Sequence, residues 1–335
     1  MSAAIPYPIR SPRWALNYSG VDLTADISRM VVAITYGDYL SGLASEAEIE
    51  VEDRDRRWQG PWYPALGDQL SLAIGYAGEK LLPCGDFEVD EIELSGPPDT
   101  LRLRCLSAYI TPALRTRNSI GYENQSLMQI AATVAGKYGL TVVEAPSNPG
   151  PIFERVTQNQ ESDLAFLKRI ANENGYDFTV RGSQLIFYTR SALEAAAPVY
   201  TIDRTQTIEF SFINRTRLIY QGAEVSYLNP YLKELVSQSA SASGVPTGDR
   251  LKLVARCENG QQAALKAGAA LHLHNMLYLR VAATLPGTTV LVAGNVVSLT
   301  GFGAMDGAYL IEAARHRLER RLGYQTAIEA RRVSA

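Results

Sequence analysis

Hydrophobic and polar residues alternate along much of residues 1–115, and this spacing predicts β-strands. The strictest alternation lies in residues 46–52, where four glutamates are interleaved with Ala47, Ile49 and Val51. Successive side chains of a strand point to opposite faces, so this segment would carry one apolar face and one carboxylate face. Shorter alternating runs follow, separated by turns rich in glycine and proline, and together they predict a small antiparallel barrel or sandwich.

Residues 116–198 have the spacing of helices instead. Ser126 and Gln129 form a capping-box pattern at the start of a helix, in which each side chain would bind a free backbone amide. A second helix is predicted from about residue 161 to 174, and each of the two helices is followed by a glycine and a short strand. This region is therefore predicted to be a small α+β insert built from two helix–strand units.

Strand-like alternation returns in residues 199–335. It is interrupted by an alanine-rich helix at about 259–275 and by a serine- and glycine-rich segment, 237–248, that is typical of a mobile loop. The predicted fold class is mainly β with a small α+β insert. Its three parts would be a first β-barrel domain (1–115), the helix–strand domain (116–198) and a second, similar antiparallel β-barrel domain (199–335).

The two predicted β-domains share a spacing of glycines and apolar residues. In the first, Gly67 and Gly85 each lead into an alternating strand, and in the second Gly294 and Gly307 do so at matching offsets. A closed ring of n chains that each carry two similar domains presents 2n nearly equivalent surfaces. Three such chains would present six, which suits a protein that joins a threefold object to a sixfold one.

The composition excludes several classes of protein. Of 335 residues, 46% are hydrophobic and 20% are charged, and the net charge is -3, so the chain lacks the positive field that a dedicated nucleic-acid binder needs. Residues 1–10 lack the apolar core of a signal peptide, and no apolar run is long enough to span a membrane, so we expect folding in the cytoplasm. Cys84, Cys105 and Cys257 lie far apart and are predicted to be buried, reduced residues.

No catalytic, cofactor-binding or metal-binding residue is predicted. The sequence has neither a Gly-x-Ser-x-Gly elbow nor a His-Glu-x-x-His zinc motif. His272 and His274 would point to different sides of the predicted helix, and His316 is predicted to be an exposed or interface residue. The charged run after residue 52 is predicted to form a solvated or intersubunit ion-pair network rather than an acid–base pair. This run consists of Asp53, Arg54, Asp55, Arg56 and Arg57.

The carboxylate face of residues 46–52 has two interpretations. Glu46, Glu48, Glu50 and Glu52 could form an ordinary solvent-exposed face. Alternatively, they could line a channel, where their negative charge would keep DNA from adhering as it passes. In the second case, replacing them with lysine would slow the release of DNA from intact particles.

Several segments resemble the late control D protein family of contractile phages. Residues 160–171 with their flanks are the most specific of these segments, and the similarity extends over nearly the whole chain. The other segments that carry the resemblance are residues 51–58, 67–70, 85–92, 96–99, 306–311 and 323–326.

The resemblance implies a structural baseplate or tail-tip hub, related to the N-terminal part of type VI secretion spike proteins. Such hubs form a homotrimer whose two barrel domains per chain make a pseudo-sixfold ring with a central channel. The implied partners are the tail tube protein, a trimeric spike protein, other baseplate proteins and, as a further candidate, the tape measure protein. Neither sequence-specific nucleic acid nor, in the resting particle, a membrane is an implied partner. The implied location is the tail baseplate of a virion or phage-like particle, assembled in the host cytoplasm.

The end of the sequence adds one expectation. The chain stops at Ala335, just after the second predicted barrel, so the resemblance implies that the spike is a separate protein rather than a fused segment. A tail-associated peptidoglycan-degrading enzyme is the alternative function, which a zymogram would distinguish. A transcriptional regulator is a third alternative, but the near-neutral charge and the lack of a basic helix-turn-helix pattern argue against it.

Overall fold

The computed structural model describes residues 10–40, 44–108, 116–145, 150–229, 233–243, 245 and 247–333. The segment considered above for a signal peptide lies outside them except for Arg10, as does the predicted domain boundary at residue 115. Within the described residues strands predominate over helices, which confirms the mainly β fold class. None of the helices in these ranges is long and apolar enough to cross a membrane.

The first β-unit is built by residues 12–107, whose strands turn one face toward a shared apolar core. Ala47, Ile49 and Val51 are buried in this core, as the alternation predicted, and the glutamates between them are partly exposed. The elements of this unit are β1 (Pro12–Tyr18), β2 (Val21–Asp22), α1 (Thr24–Ile27), β3 (Val31–Tyr39), β4 (Glu46–Glu52), β5 (Gln69–Tyr76), β6 (Leu82–Ser95) and β7 (Thr100–Ser107).

The insert has its own core and its own small sheets. Its elements are β8 (Arg117–Ser126), α2 (Leu127–Gly136), β9 (Thr141–Ala145), β10 (Ile152–Ser162), α3 (Asp163–Glu173), β11 (Tyr176–Arg181), β12 (Gln184–Thr189) and α4 (Arg190–Glu194). The predicted capping box begins α2, since Gln129 N donates to Ser126 Oγ (3.2 Å) and Ser126 N donates to Gln129 Oε1 (2.8 Å). Both predicted helices are therefore present, and each leads into a strand of one three-stranded sheet.

The last segment continues the β architecture and adds a small helix-covered sheet. Its elements are β13 (Tyr200–Asp203), β14 (Glu209–Asn214), β15 (Gly222–Asn229), β16 (Glu234–Ser241), β17 (Arg250–Val254), α5 (Gly260–Asn275), β18 (Leu279–Pro286), β19 (Val296–Thr300), β20 (Gly307–Glu319) and β21 (Gly323–Arg332). Helix α5 confirms the alanine-rich helix and packs on β15 and β16 through Ala263, Ala267 and Leu271.

The predicted loop at 237–248 is wrong in its first part, because residues 237–241 belong to β16 and pair with β15. The small, polar side chains of this strand alternate between exposed and half-buried positions, so one face meets solvent and the other meets the helix-covered core. Serine and alanine are common in flexible segments, but they are also tolerated in such a strand. Composition alone therefore misassigned residues 237–241 to a loop.

The strands of the first and last segments form one sheet rather than two separate barrels. The order is β14-β18-β21-β20-β3-β4-β7-β6-β5-β1-β2, with β19 joined to β20 and β13 joined to β19. Among the described residues this sheet does not close on itself, so the prediction of two barrel domains is not confirmed. The two halves meet where residues 313–319 of β20 pair antiparallel with residues 33–39 of β3, a pairing that we call the seam.

The two halves of the sheet have the same strand order. The order β3-β4-β7-β6-β5 of the first half corresponds to β14-β18-β21-β20-β19 of the second. In both halves the fourth strand bulges at the same place, after Val89 in β6 and after Ile311 in β20. Gly67 N donates to Val89 O (2.8 Å) and Gly294 N donates to Ile311 O (2.9 Å), and both glycines have positive φ. The glycine spacing in the sequence therefore corresponds to a repeated backbone geometry.

His316 lies in the seam, and the prediction that it is an exposed or interface residue is wrong as to exposure, since its exposed fraction is 0%. Its ring stacks on Tyr36 of β3 (centroids 5.9 Å apart), and its Nδ1 lies 2.8 Å from the Tyr324 hydroxyl and 3.2 Å from Thr326 Oγ1. Burial disfavours the charged imidazolium and lowers the pKa of His316 to about 4. The neutral ring therefore holds the two halves together at neutral pH.

The free energy of unfolding should fall as the pH is lowered from about 6.5 to 4. In this window the unfolded chain binds a proton at His316 and the folded chain does not. The free energy of unfolding would therefore decrease by up to about 3 kcal/mol. Urea unfolding of the unaltered chain and of His316→Gln, measured across this pH range, checks this, with His274→Gln as the control outside the seam. Parallel profiles for the unaltered chain and His316→Gln would contradict it.

Candidate functional site

The glutamates of β4 lie on the polar face of the sheet, next to arginines of β7. The register places Glu48 opposite Arg104 and Glu50 opposite Arg102. Arg102 lies 3.4 Å from Glu48 and 3.4 Å from Glu50, and Arg104 lies 3.6 Å from Glu48. Because side chains directly opposite on neighbouring strands interact, the carboxylates of β4 are neutralised locally by β7.

The two ends of the glutamate row are paired with arginines from the other half of the sheet. Arg315 of β20 lies 3.3 Å from Glu46, and Arg320, just after β20, lies 2.6 Å from Glu52. The remaining members of this cluster are Arg54, Glu91 and Glu93. We call the whole cluster the charged face: six carboxylates (Glu46, Glu48, Glu50, Glu52, Glu91, Glu93) and five guanidinium groups (Arg54, Arg102, Arg104, Arg315, Arg320).

The charged face carries only one more negative than positive charge, although the sequence of β4 alone shows an acidic row. Partly exposed ion pairs of this kind each contribute at most about 1 kcal/mol to stability. Their main effect is electrostatic, because negatively and positively charged side chains alternate across four strands. A surface of this kind neither attracts nor strongly repels a polyanion.

The part of the charged face that lies on β4 and β7 is not repeated in the second half of the sheet. When the two halves are aligned by their register, Ala282 and Thr284 of β18 take the places of Glu48 and Glu50, and Ala327 of β21 takes the place of Arg102. The backbone repeat therefore carries two different surfaces. Sequence alternation revealed the first surface, but the arginine partners from β7 and β20 are distant in sequence and were missed.

The charged run after β4 forms a turn with an internal anchor. Asp53 is 2% exposed, and its Oδ1 accepts a hydrogen bond from the backbone N–H of buried Trp58 (3.1 Å). The arginines pair within the chain: Arg54 with Glu52 (2.8 Å), Arg56 with Asp99 (3.8 Å) and Arg57 with Asp55 (3.6 Å). Asp53 thus shapes the turn, and the arginine heads are left at its outer surface, with Arg54 80% exposed.

A buried charge network, which the sequence did not reveal, fixes the insert to the second half of the sheet. Arg331 of β21 is 2% exposed, bonds Glu194 of α4 and lies 3.3 Å from Glu312, the residue at the bulge of β20. His272 of α5 lies 3.0 Å from the same Glu194. Burial acts to raise the pKa of Glu194, but His272 and Arg331 outweigh it and hold that pKa below its ordinary value.

A second buried carboxylate organises the insert. Asp163, the first residue of α3, is fully buried and accepts hydrogen bonds from Lys137 Nζ (3.0 Å), the Tyr138 hydroxyl (2.8 Å), Gln158 Nε2 (2.8 Å) and Asn118 Nδ2 (3.1 Å). Burial would raise the pKa of Asp163, but these donors lower it below its ordinary value. Asp163 therefore acts as a structural carboxylate that ties the start of α3 to its neighbours.

The described residues contain no group of three or more His, Cys, Asp or Glu side chains placed to hold a metal ion. Cys84, Cys105 and Cys257 are buried and unpaired, as predicted. Burial raises the pKa of the Cys105 thiol to about 12, which keeps this thiol protonated and unreactive at neutral pH.

Comparison with known proteins gives a family for this chain. The family described as phage tail baseplate hub (GPD) matches residues 65–322. The probable baseplate hub protein of Escherichia phage 186 is 30% identical over 223 residues, which are 65% of this chain and 57% of that protein. The chain thus matches little more than half the length of this relative.

Solved structures show the same fold. A tail protein from Neisseria meningitidis superposes with a TM-score of 0.74 at 13% identity, over 96% of this chain and 96% of that one. A component of the E. coli type VI secretion system, described as similar to bacteriophage T4 tail proteins, superposes with a TM-score of 0.61 at 16% identity, over 95% of this chain and 77% of its own. Since the family match runs through most of the sequence, from the first half of the sheet across the insert to the second half, the chain belongs to the phage tail baseplate hub family.

Proposed function

We propose that this chain is a structural hub in the baseplate of a contractile phage-type tail and that it has no catalytic role. The observation that carries the proposal is the repeated sheet: two halves with one strand order, joined through the seam into a continuous surface. Membership of the baseplate hub family and the likeness to a type VI secretion component support it. Buried carboxylates that accept structural hydrogen bonds, such as Asp163, fit a mechanical role better than an enzymatic one.

The repeat suggests how the hub matches two symmetries. Three chains in a ring present six similar half-sheets, and each half then acts as one barrel-like wall segment around a central channel. Such a ring can meet a sixfold tail tube on one side and a trimeric spike on the other. Other baseplate proteins and the tape measure protein are further proposed partners, and the proposed site of action is the tail of a virion or phage-like particle assembled in the host cytoplasm.

The charged face is proposed to line the channel. In a three-chain ring it would recur three times, alternating with the different surface around Ala282 and Thr284. The mixed charges would let a polyanionic or protein cargo slide past without strong attraction or strong repulsion. The exposed heads of Arg54, Arg56 and Arg57 are proposed to reach acidic groups of a neighbouring subunit.

The purified chain should form a discrete species of three times the mass of one chain. The physical reason is that its half-sheets leave strand edges that another copy can satisfy. Light scattering after size exclusion, at several concentrations, measures this mass. A chain that stays monomeric both alone and mixed with the spike and tube proteins would contradict the proposed hub.

Reversing two charges of the charged face should make the ring retain DNA. Glu48→Lys with Glu50→Lys changes the net charge of this face from -1 to +3 per chain, because each substitution replaces a negative by a positive charge. Retention of a double-stranded DNA fragment, followed by fluorescence anisotropy, should rise and should decline steeply with added salt. In DNA-containing particles the same variant should slow DNA release.

The control for this charge reversal is Glu154→Lys with Glu234→Lys, which makes the same change in overall charge at two exposed residues away from the charged face. Circular dichroism checks that each variant is folded. Equal DNA retention by the two double variants would contradict a channel-lining charged face.

A further inference from the structure

Among the strand edges of the sheet that have no partner in the described residues, one belongs to β14 and another to the end of β6. β14 pairs with β18 on one side only. Residues 90–95 of β6 pair with β7 on one side only, because β5 pairs with the earlier residues 82–88. Unpaired edges expose a row of backbone donors and acceptors that another strand can bind.

The repeat assigns these two edges to one another. In the register alignment of the two halves, β6 corresponds to β20 and β14 corresponds to β3. β20 and β3 are the two strands that pair in the seam. Each free edge is thus a second copy of one side of a junction that the chain already makes within itself.

The apolar side chains at the free edges are exposed, whereas their counterparts at the seam are buried. Leu94 is 46% exposed, and its counterpart is His316, 0% exposed. Two further pairs show the same contrast in exposed fraction: Phe210, 40%, against Ile34, 0%, and Leu66, 67%, against Ala293, 3%. The edges carry the side chains of an interface whose other half is absent from the single chain.

We propose that β6 of one copy pairs antiparallel with β14 of a second copy, in the register of the seam. The pairing follows from the repeat, whereas closure by three copies rests on the proposed function. Transferring the seam register gives these opposed residues: Ser95 with Ser211, Leu94 with Phe212, Glu93 with Ile213, Ile92 with Asn214 and Glu91 with Arg215.

The chemistry at one end of this register is complementary. Glu91 and the exposed Arg215 have opposite charges. Asn214 takes the place of Asp38, whose Oδ2 accepts a hydrogen bond from Ala293 N (2.9 Å) in the seam. The counterpart of Ala293 is Leu66, so the Asn214 amide oxygen would accept from the Leu66 N–H of the other copy. Beyond Gly96, two prolines lack the N–H that a longer ladder needs.

Each chain offers one edge of each kind, so the contact is head-to-tail. Head-to-tail contacts make closed rings when the rotation per copy closes, and open filaments when it does not. Every junction around such a ring, within a chain and between chains, would have the same strand pairing. This is the geometry that lets three chains present six equivalent positions.

A disulfide across the proposed junction tests it. Ser95 and Ser211 are exposed and opposed in the register, and directly opposed residues of antiparallel strands have Cα atoms about 4.5–5.5 Å apart, within disulfide reach. The full chain carrying Ser95→Cys and Ser211→Cys is oxidised, both purified and in assembled tail particles. The products are sized on a non-reducing gel, and the 95–211 disulfide is identified by mass spectrometry. Most of the chain should run as linked two- and three-chain species.

The controls show whether linking depends on the proposed register or only on two thiols being close together. Ser95→Cys with Asn214→Cys places the second thiol three residues away on the opposite face and should stay unlinked, and each single variant can reach no more than a linked dimer. Because both serines are exposed, the variants should fold as the unaltered chain does. The three native cysteines are buried and present in every variant.

The outcomes are distinct. A three-chain species without the 95–211 disulfide would overturn the pairing and leave the proposed hub intact, as would equal linking of the 95–214 variant. Linked ladders longer than three chains would support the pairing and contradict the three-chain ring. Absence of the 95–211 disulfide at every concentration and in particles would overturn the pairing.

Discussion

The pairing of β20 with β3 is the interaction on which the rest of the structure depends. It joins residues about 280 positions apart in sequence and brings the two ends of the chain into one sheet. Without it, each half would expose an edge strand and an apolar surface that includes Ile34 and Tyr36. The seam also determines the environment of His316, whose neutral ring is stacked between the halves. The insert is held against the second half by the buried network around Arg331.

The proposed function follows from shape and pairing rather than from a reactive group. The chain repeats one half-sheet, and a repeated half-sheet can propagate through further copies of the same junction. The repeat preserves the backbone and not the side chains: Glu48 and Glu50 on one half correspond to Ala282 and Thr284 on the other. A ring of three such chains would repeat the half-sheet backbone six times and the surface side chains three times. A connector between a sixfold tube and a threefold spike requires this combination.

Local sequence signals predicted local structure well. The alternation in β4, the capping box at Ser126 and the alanine-rich helix α5 each lie where the pattern placed them, because each depends on residues close in sequence. The glycine spacing revealed the repeat, since Gly67 and Gly294 hold equivalent positive-φ turns.

The features that sequence could not supply are those that depend on distant partners. Which strands meet at the seam, the arginines that neutralise the glutamate row, and the buried pairing of Arg331 with Glu194 are set by non-local contacts. His316 is instructive, because Arg315 and Arg317 point to the polar face and the residue between them must point to the core. The alternation contained that information, but the two flanking charges suggested exposure.

The most direct measurement of the central claim is electron microscopy of the isolated hub in end-on view. The account predicts closed rings with six similar lobes, built from three chains around an open channel. Open filaments, or rings with a number of lobes other than six, would contradict it.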